Sequence, residues 1–288
     1  MPPIPKTCIV CGSEPRPYVA NGLPVWRCQN CSLMWRQSFD VPISYYEKGP
    51  GGFSKEKEKL QRRNIRDRIR TIARYVNLDS TCDVGGSKGY FVEELIRGGY
   101  RNVLGVDPNK IQVNEAQRRG VPMLTGSTEN ILEIFQQKRI KNATLFHVVE
   151  HLPDPQGAIR QIYDALPAGG FLVIETPDFG SDPFRKLKYK HKLVYKEHLF
   201  YFTRDNLQKF LVRMGFTIVY AGQRDFDQYH LNARESLFRL NLMSKSGDLS
   251  LSQKIILRLS ESFLVLPLSL AVRFLGRGSL VLAIGQKP

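Results

Sequence analysis

Long apolar runs are missing from this sequence. No stretch reaches the ~18 apolar residues of a membrane-spanning helix, and Met1-Pro2-Pro3-Ile4-Pro5 lacks the basic-then-apolar layout of a secretory leader. Both absences point to a cytoplasmic protein. Acidic residues are in short supply, 27 against 42 basic ones, and the net charge of +15 favours acidic partners. Nucleotide-linked sugars, anionic lipids, acidic polysaccharides and RNA all qualify, and a solvated basic surface explains the charge equally well. Cysteine is scarce, with five residues, and disulfides are disfavoured in a reducing cytosol. Two phosphate-binding signatures are absent as well. The stretch 85–89 cannot be written G-x-G-x-x-G, and Lys88 is followed by Gly89 rather than Ser or Thr. The dinucleotide fingerprint and the P-loop of a nucleoside triphosphatase are thereby excluded.

What is present is a chain of 288 residues, with room for one large core and a small appendage. It is organised around Thr81-Cys82-Asp83-Val84-Gly85-Gly86-Ser87-Lys88-Gly89-Tyr90-Phe91. A short run ends in an acid, three glycines follow, and a helical pattern begins at Phe91, Val92, Leu95 and Ile96. This reads as a strand, a tight turn and a helix N-terminus whose N–H groups face an anionic group such as a carboxylate. Val103 to Asp107 reads as a second strand, and its terminal acid stands where a nucleotide-fold carboxylate would hold ribose hydroxyls.

The rest of the core alternates. Strands at 80–85, 102–107, 121–125, 143–149, 170–175 and 216–221 are expected between helices at 89–98, 109–119, within 127–138, 155–166 and 204–214. Such alternation builds an α/β, doubly wound, mostly parallel sheet that binds ligands at the carboxyl ends of its strands. A helix from Ser54 to Val76 precedes it, with Ile65, Ile69, Ile72 and Val76 at helical spacing and a basic opposite face including Arg62, Arg66 and Arg68. That face is expected to be solvated, with nucleic-acid binding as the other reading.

Four of the five cysteines form two pairs, Cys8-x-x-Cys11 and Cys28-x-x-Cys31. Two turns presenting two thiolates each make a tetrahedral zinc site. Four thiolates leave no position for water, so such a zinc is structural. Metal binding would supply the folding energy that so short a segment lacks. Cys82 is expected in the core.

The glycine turn and the two strand-ending acids resemble the S-adenosylmethionine (SAM) site of class I methyltransferases. Two further stretches extend the resemblance. Val149-Glu150-His151-Leu152-Pro153-Asp154-Pro155 is similar to the family's Glu-His-Leu-x-Asp-Pro segment, and Glu197-His198-Leu199-Phe200-Tyr201-Phe202-Thr203 to its Glu-His-x-x-Tyr-Phe-Ser/Thr stretch. The metal head, with Pro42, Tyr45 and Tyr46 behind it, resembles the zinc-ribbon-like head on a subset of class I methyltransferases found with sugar and cell-surface polysaccharide enzymes. Asn-Pro-Pro-Tyr motifs of nucleic-acid amino-group methyltransferases are absent.

The resemblance implies a Rossmann-like, seven-stranded sheet whose last strand, from 278–288, runs antiparallel. It divides the chain into a zinc-ribbon-like module at 1–47, a linker and lid helix at 48–76, a SAM-binding core at 77–222, a helical insertion at 223–277 and the final strand. It implies SAM contacts by Asp83, Gly85, Gly86, Ser87, Gly89 and Asp107, with Ser127 and Thr128 on the adenine side and His147 near the methionine end. His198 is the expected general base, with Glu197 and His151 beside it. The expected reaction is methyl transfer to a small sugar-containing or anionic acceptor, most readily a sugar hydroxyl. Carbon methylation of a nucleotide-linked sugar and RNA methylation are the alternatives. The insert with Arg185, Lys186, Lys188, Tyr189, Lys190, Lys192, Tyr195 and Lys196 is the expected acceptor-recognition element. The apolar stretch 251–277 reads either as a peripheral contact with the inner membrane face or as helices packed on the core or on a second subunit.

Overall fold

The computed structural model describes residues 3–39, 55–181, 184, 193–224 and 278–288. Ser54, Pro42, Tyr45, Tyr46, the basic stretch 185–192 and the apolar stretch 251–277 lie outside the described residues. No helix among the described residues is long and apolar enough to cross a membrane.

The head is a hairpin, β1 (Pro15–Ala20) and β2 (Leu23–Cys28), followed by a short β3 (Met34–Arg36). Asn21 and Gly22, both at positive φ, make the two-residue turn, the conformation that matches strand twist. Helix α1 (Lys55–Ile72) leads into the core. There, β4 (Thr81–Val84), α2 (Tyr90–Arg97), β5 (Leu104–Asp107), α3 (Lys110–Arg118), β6 (Met123–Thr125), α4 (Ile131–Lys138), β7 (Asn142–Phe146), α5 (Pro155–Ala165) and β8 (Phe171–Pro177) follow one another. Then come β9 (Phe200–Tyr201), α6 (Arg204–Arg213), β10 (Thr217–Arg224) and β11 (Leu280–Gln286).

The main sheet has seven strands in the order β10-β11-β8-β7-β4-β5-β6. Strands β4 to β8 pair in parallel, and β11 inserts antiparallel between β8 and β10. The order reverses at β4, which pairs with β5 on one side and β7 on the other, so the crevice opens at the carboxyl end of β4. The central strands are buried along their length, as a sheet covered on both faces requires. Helix starts are set by their caps. Asn109 caps α3, Asp154 with Pro155 at the first position opens α5, and Thr203 and Asn206 form a reciprocal capping box on α6.

Three features depart from the sequence reading. Strand β7 ends at Phe146 rather than running to residue 149, because His147 turns the backbone to φ 57° and a short 3-10 turn, Val149–His151, follows. Phe200–Tyr201 forms a strand, and it joins the head: Met34 pairs with Tyr201 and Trp35 with Phe200, completing a sheet in the order β1-β2-β3-β9. The basic face expected in solvent is exposed at Lys59, Arg63, Arg66, Arg70 and Arg74, but not at Arg62 and Arg68. Arg62 binds Glu58, Glu93 and Glu94, and Arg68 is buried.

The head shares the core of the main body. Trp35, Leu33 and Ile9 belong to the same buried cluster as Phe200, Phe202 and Phe210. Arg36 reinforces the junction: its amide donates to the Leu199 carbonyl at 2.9 Å, and its guanidinium to the Lys196 carbonyl at 2.9 Å.

Candidate active site

One half of the crevice is built at the ends of β4 and β5. Gly85 and Gly86 both donate to the Val106 carbonyl, which folds the loop back over β5. Gly85 stands at φ 78°, and a Cβ there would lie 2.5 Å from Val148 Cγ2. Only glycine fits both restraints. Gly89, at φ 70°, is the turn residue from which α2 departs. Its helix presents free N–H groups to the crevice.

Asp83 is buried, and its carboxylate accepts the Thr144 hydroxyl at 2.6 Å. Burial pushes its pKa up to about 7, against the pull of Thr144 and Arg68. Asp107 ends β5. One oxygen accepts the Ser87 amide at 2.7 Å and the other the Asn109 amide at 2.8 Å, so the carboxylate is aimed while each oxygen keeps a second lone pair for a hydroxyl donor. Burial raises its pKa too, and the two amides oppose the rise. Ser127 and Thr128 lie half-buried just past β6, where the Gly126 amide donates to the Asp107 carbonyl. The structure thus brings together Asp83, Gly85, Gly86, Ser87, Gly89 and Asp107, with Ser127 and Thr128 at the neighbouring strand end.

The other half grows from the end of β7. The His147 amide donates to the Glu175 carbonyl, which fixes its left-handed turn. Its ring lies between two buried carboxylates, with Nδ1 3.4 Å from Glu150 and Nε2 3.7 Å from Glu175. Glu175 is paired with Arg68 and lies 3.5 Å from Arg224. Burial pushes its carboxyl up, but Arg68, Arg224 and His147 outweigh that and hold it below the usual range. The Arg68 guanidinium also lies over the Phe146 ring, 4.2 Å from its centroid.

His151 and His198 meet beside this group, with ring centroids 4.6 Å apart. Each Nδ1 lies 2.8 Å from a main-chain carbonyl, Glu197 for His151 and Leu193 for His198. A carbonyl only accepts, so both rings carry a proton on Nδ1. His198 is 2% exposed, and burial drives its pKa down to about 3. His151 is half-buried. Of the expected catalytic group, the two histidines come together, whereas Glu197 contributes its carbonyl to that contact. Glu150 completes the cluster, wholly buried. Burial pushes its carboxyl up, but the three neighbouring histidines bring it to about 2.

The sequence reading puts Arg68 on the solvated face of its helix and leaves Glu175 without a role. A signal was available. Arg68 lies three residues after Ile65 and four before Ile72, on the apolar face of α1. Glu175 interrupts the buried run Phe171 to Thr176, and an acid there needs a buried cation.

In the head, the sulfurs of Cys8, Cys11, Cys28 and Cys31 lie within 4.8 Å of one another. The Cys8–Cys31 and Cys11–Cys28 separations are 3.4 Å, and all four thiols are free. Disulfide bonding needs ~2.05 Å. A tetrahedral zinc with Zn–S of about 2.3 Å sets sulfurs about 3.8 Å apart. The four cysteines could hold such an ion.

Comparison with known proteins agrees with this geometry. The profile of a family described as a methyltransferase domain matches residues 57–221. A SAM-dependent methyltransferase from Archaeoglobus fulgidus shares the fold with a TM-score of 0.53 and 18% identity, covering 80% of this chain and 97% of its own. A Thermotoga maritima SAM-dependent methyltransferase, described as a possible histamine N-methyltransferase, gives 0.50 and 17%, covering 82% and 96%. No curated protein sequence matches. The glycine turn, the two strand-ending carboxylates, the sheet order and the family match converge: the chain belongs to the class I SAM-dependent methyltransferases.

Proposed function

We propose that this protein transfers the SAM methyl group to a hydroxyl of a small sugar-containing acceptor, in polysaccharide, glycolipid or secondary-metabolite biosynthesis. The observation that carries the reading is the imidazole cluster beside the donor loop. His151 is half-buried and keeps an Nε2 lone pair for a proton, held in that tautomer by the Glu197 carbonyl. The buried His198, driven down to about 3, is too weak a base at neutral pH and packs behind it. An imidazole like that of His151 serves a nucleophile that must lose a proton, as a hydroxyl must.

When bound, SAM supplies an already activated methyl group. The chain's task is then to align donor and acceptor. Asp107 would hold the donor's ribose hydroxyls, with Ser127 and Thr128 on the adenine side, and the α2 N-terminus would face its carboxylate. His151 would take the proton of the acceptor oxygen, with His198 and Glu150 packed behind it to hold its ring in place. Glu197 would steady His151 through its carbonyl, and His147 would line the methionine end. The four-cysteine head would carry a structural zinc and brace this loop through β3 and β9.

Two of the α1 arginines serve the fold itself rather than a nucleic-acid-binding face, while Lys59, Arg63, Arg66, Arg70 and Arg74 stay exposed and keep RNA as the second reading. Arg62 is paired with Glu58, Glu93 and Glu94, and Arg68 is buried against Glu175. The test is calorimetric titration with SAM and its demethylated product, followed by methyl-transfer assays on nucleotide sugars and glycolipids. His151→Ala and His198→Ala should keep donor binding and lose turnover. Full turnover in both variants would remove the cluster from the chemistry. A product methylated on carbon, or strongly salt-dependent RNA binding, would replace the hydroxyl reading.

A further inference from the structure

Glu150 poses an electrostatic problem that its hydrogen bonding does not solve. It is fully buried, and neither carboxylate oxygen accepts a hydrogen bond among the described residues. A carboxylate in that position is strongly disfavoured unless positive charge neutralises it. Among the described residues, His147 Nδ1 lies 3.4 Å away.

The surroundings suit a metal ion better than a lone imidazolium. One ligand atom each from Glu150, His151 and His198 lie within 4.8 Å of one another. Both imidazoles are held by Nδ1–H donation to a main-chain carbonyl, the Glu197 and Leu193 contacts of 2.8 Å. That outer contact is the one that orients metal-binding histidines, fixing the tautomer and directing the other nitrogen at the ion. The carboxylate's position is fixed from behind, because the Leu199 amide donates to the Glu150 carbonyl at 2.7 Å. The same bond links the two ligand-bearing segments, 149–151 and 193–201. Ligands on a tetrahedral ion at about 2.1 Å stand about 3.4 Å apart, so small side-chain movements close the site.

We propose that Glu150, His151 and His198 form a second metal site, a two-histidine, one-carboxylate centre for a divalent transition metal, separate from the four cysteines. Imidazole and carboxylate donors suit zinc, iron(II), manganese or cobalt. Three protein ligands leave coordination positions open, as catalytic rather than structural centres do. Glu150 stands two residues after Val148, whose side chain packs against Gly85 of the glycine turn, which puts the site beside the proposed methyl-donor crevice. In that place the ion would take oxygen atoms of the acceptor and lower the pKa of its hydroxyl, replacing proton acceptance by the His151 Nε2 that the ion occupies, a role that rests on the hydroxyl-transfer reading above. Metal binding itself does not depend on that reading.

Cobalt(II) titration of protein with zinc-loaded cysteines tests the proposal. Cobalt in the cysteine site gives intense thiolate charge-transfer absorption, whereas an imidazole–carboxylate site gives visible bands without it. One cobalt per chain without the thiolate band is expected, with affinity reduced at least tenfold in Glu150→Gln and in His198→Ala. His151→Asn, at a half-buried position, provides the same test should either of those fail to fold. Absence of uptake by folded wild-type protein, uptake only with the thiolate band, or unchanged uptake in the folded variants would overturn the site and leave Glu150 neutralised by His147. Methyl transfer persisting without cobalt uptake would sink the metal site alone. Cobalt uptake with a product other than a methyl ether would sink the acceptor reading alone.

Discussion

Replacing Arg68 with methionine would expose the charge balance that joins α1 to the sheet. Arg68 is 7% exposed and Glu175 is 1% exposed. Removing one partner of a buried pair costs about 3–5 kcal/mol, because the remaining charge stays buried. Arg224 and His147 remain near Glu175, at 3.5 and 3.7 Å. The loss should therefore fall at the low end, about 3 kcal/mol, a large share of the 5–15 kcal/mol that holds a typical domain folded. In urea unfolding followed by circular dichroism this amounts to a midpoint shift of roughly 1 M, for a slope near 3 kcal/mol/M. The sign with pH is also fixed. In the wild type the Glu175 carboxyl is depressed in the folded state, so its stabilisation is present above the unfolded pKa and fades as pH falls through the folded one. In Arg68→Met burial dominates and the folded pKa rises, which reverses the dependence. The mutant should approach the wild type in acid and fall behind as pH climbs toward neutrality. Adding Glu175→Gln to Arg68→Met removes the stranded charge and should restore most of the loss. A single mutant within about 1 kcal/mol of wild type at pH 7 would refute the reasoning, as would a double mutant at the sum of the single effects.

Three other outcomes follow from the geometry. Asp107→Ala should abolish measurable SAM binding by calorimetry while leaving the circular dichroism spectrum unchanged, since the carboxylate organises the donor loop through the Ser87 and Asn109 amides. Asp83→Asn should flatten stability against pH: a buried acid raised to about 7 stabilises the fold most below its unfolded pKa, and that contribution is lost as pH rises through about 7. Removing zinc with a chelator, or Cys28→Ser, should lower hydrogen-exchange protection along 199–201, read by mass spectrometry, because β9 is held by β3 of the head. Unchanged protection after metal loss would separate the head from the active-site loop.

What the sequence disclosed was local. The glycine turn, Asp83 and Asp107 are legible because a strand, a tight turn and a helix start within a dozen residues, and each residue type answers a backbone requirement there. The alternation of strands and helices is legible for the same reason, as are the Cys-x-x-Cys spacings. Contacts made across the fold were not. Phe200–Tyr201 is too short for periodicity, and its strand character comes only from pairing with residues 34–35. Arg68 looks like one more charge on a basic helix until Glu175 arrives from β8. His147 interrupts an apolar run, but nothing local signals that its backbone turns left-handed there.

The pairing of β3 with β9 also bears on how the chain is made. Met34 finds its partner at Tyr201, 167 positions later. A ribosome adding 5–20 residues per second needs roughly 10–30 s to deliver that partner. Until then β3 is an open edge, with Trp35 awaiting the aromatic layer from residues 200–210 that will bury it. The cysteine turns need no such wait, because all four thiols have been synthesised by residue 31. Metal capture during synthesis would hold the hairpin in register while the methyltransferase core forms behind it. Scarcity of zinc would then act on the newborn chain, whose exposed strand edge invites pairing with its neighbours, more than on the finished enzyme.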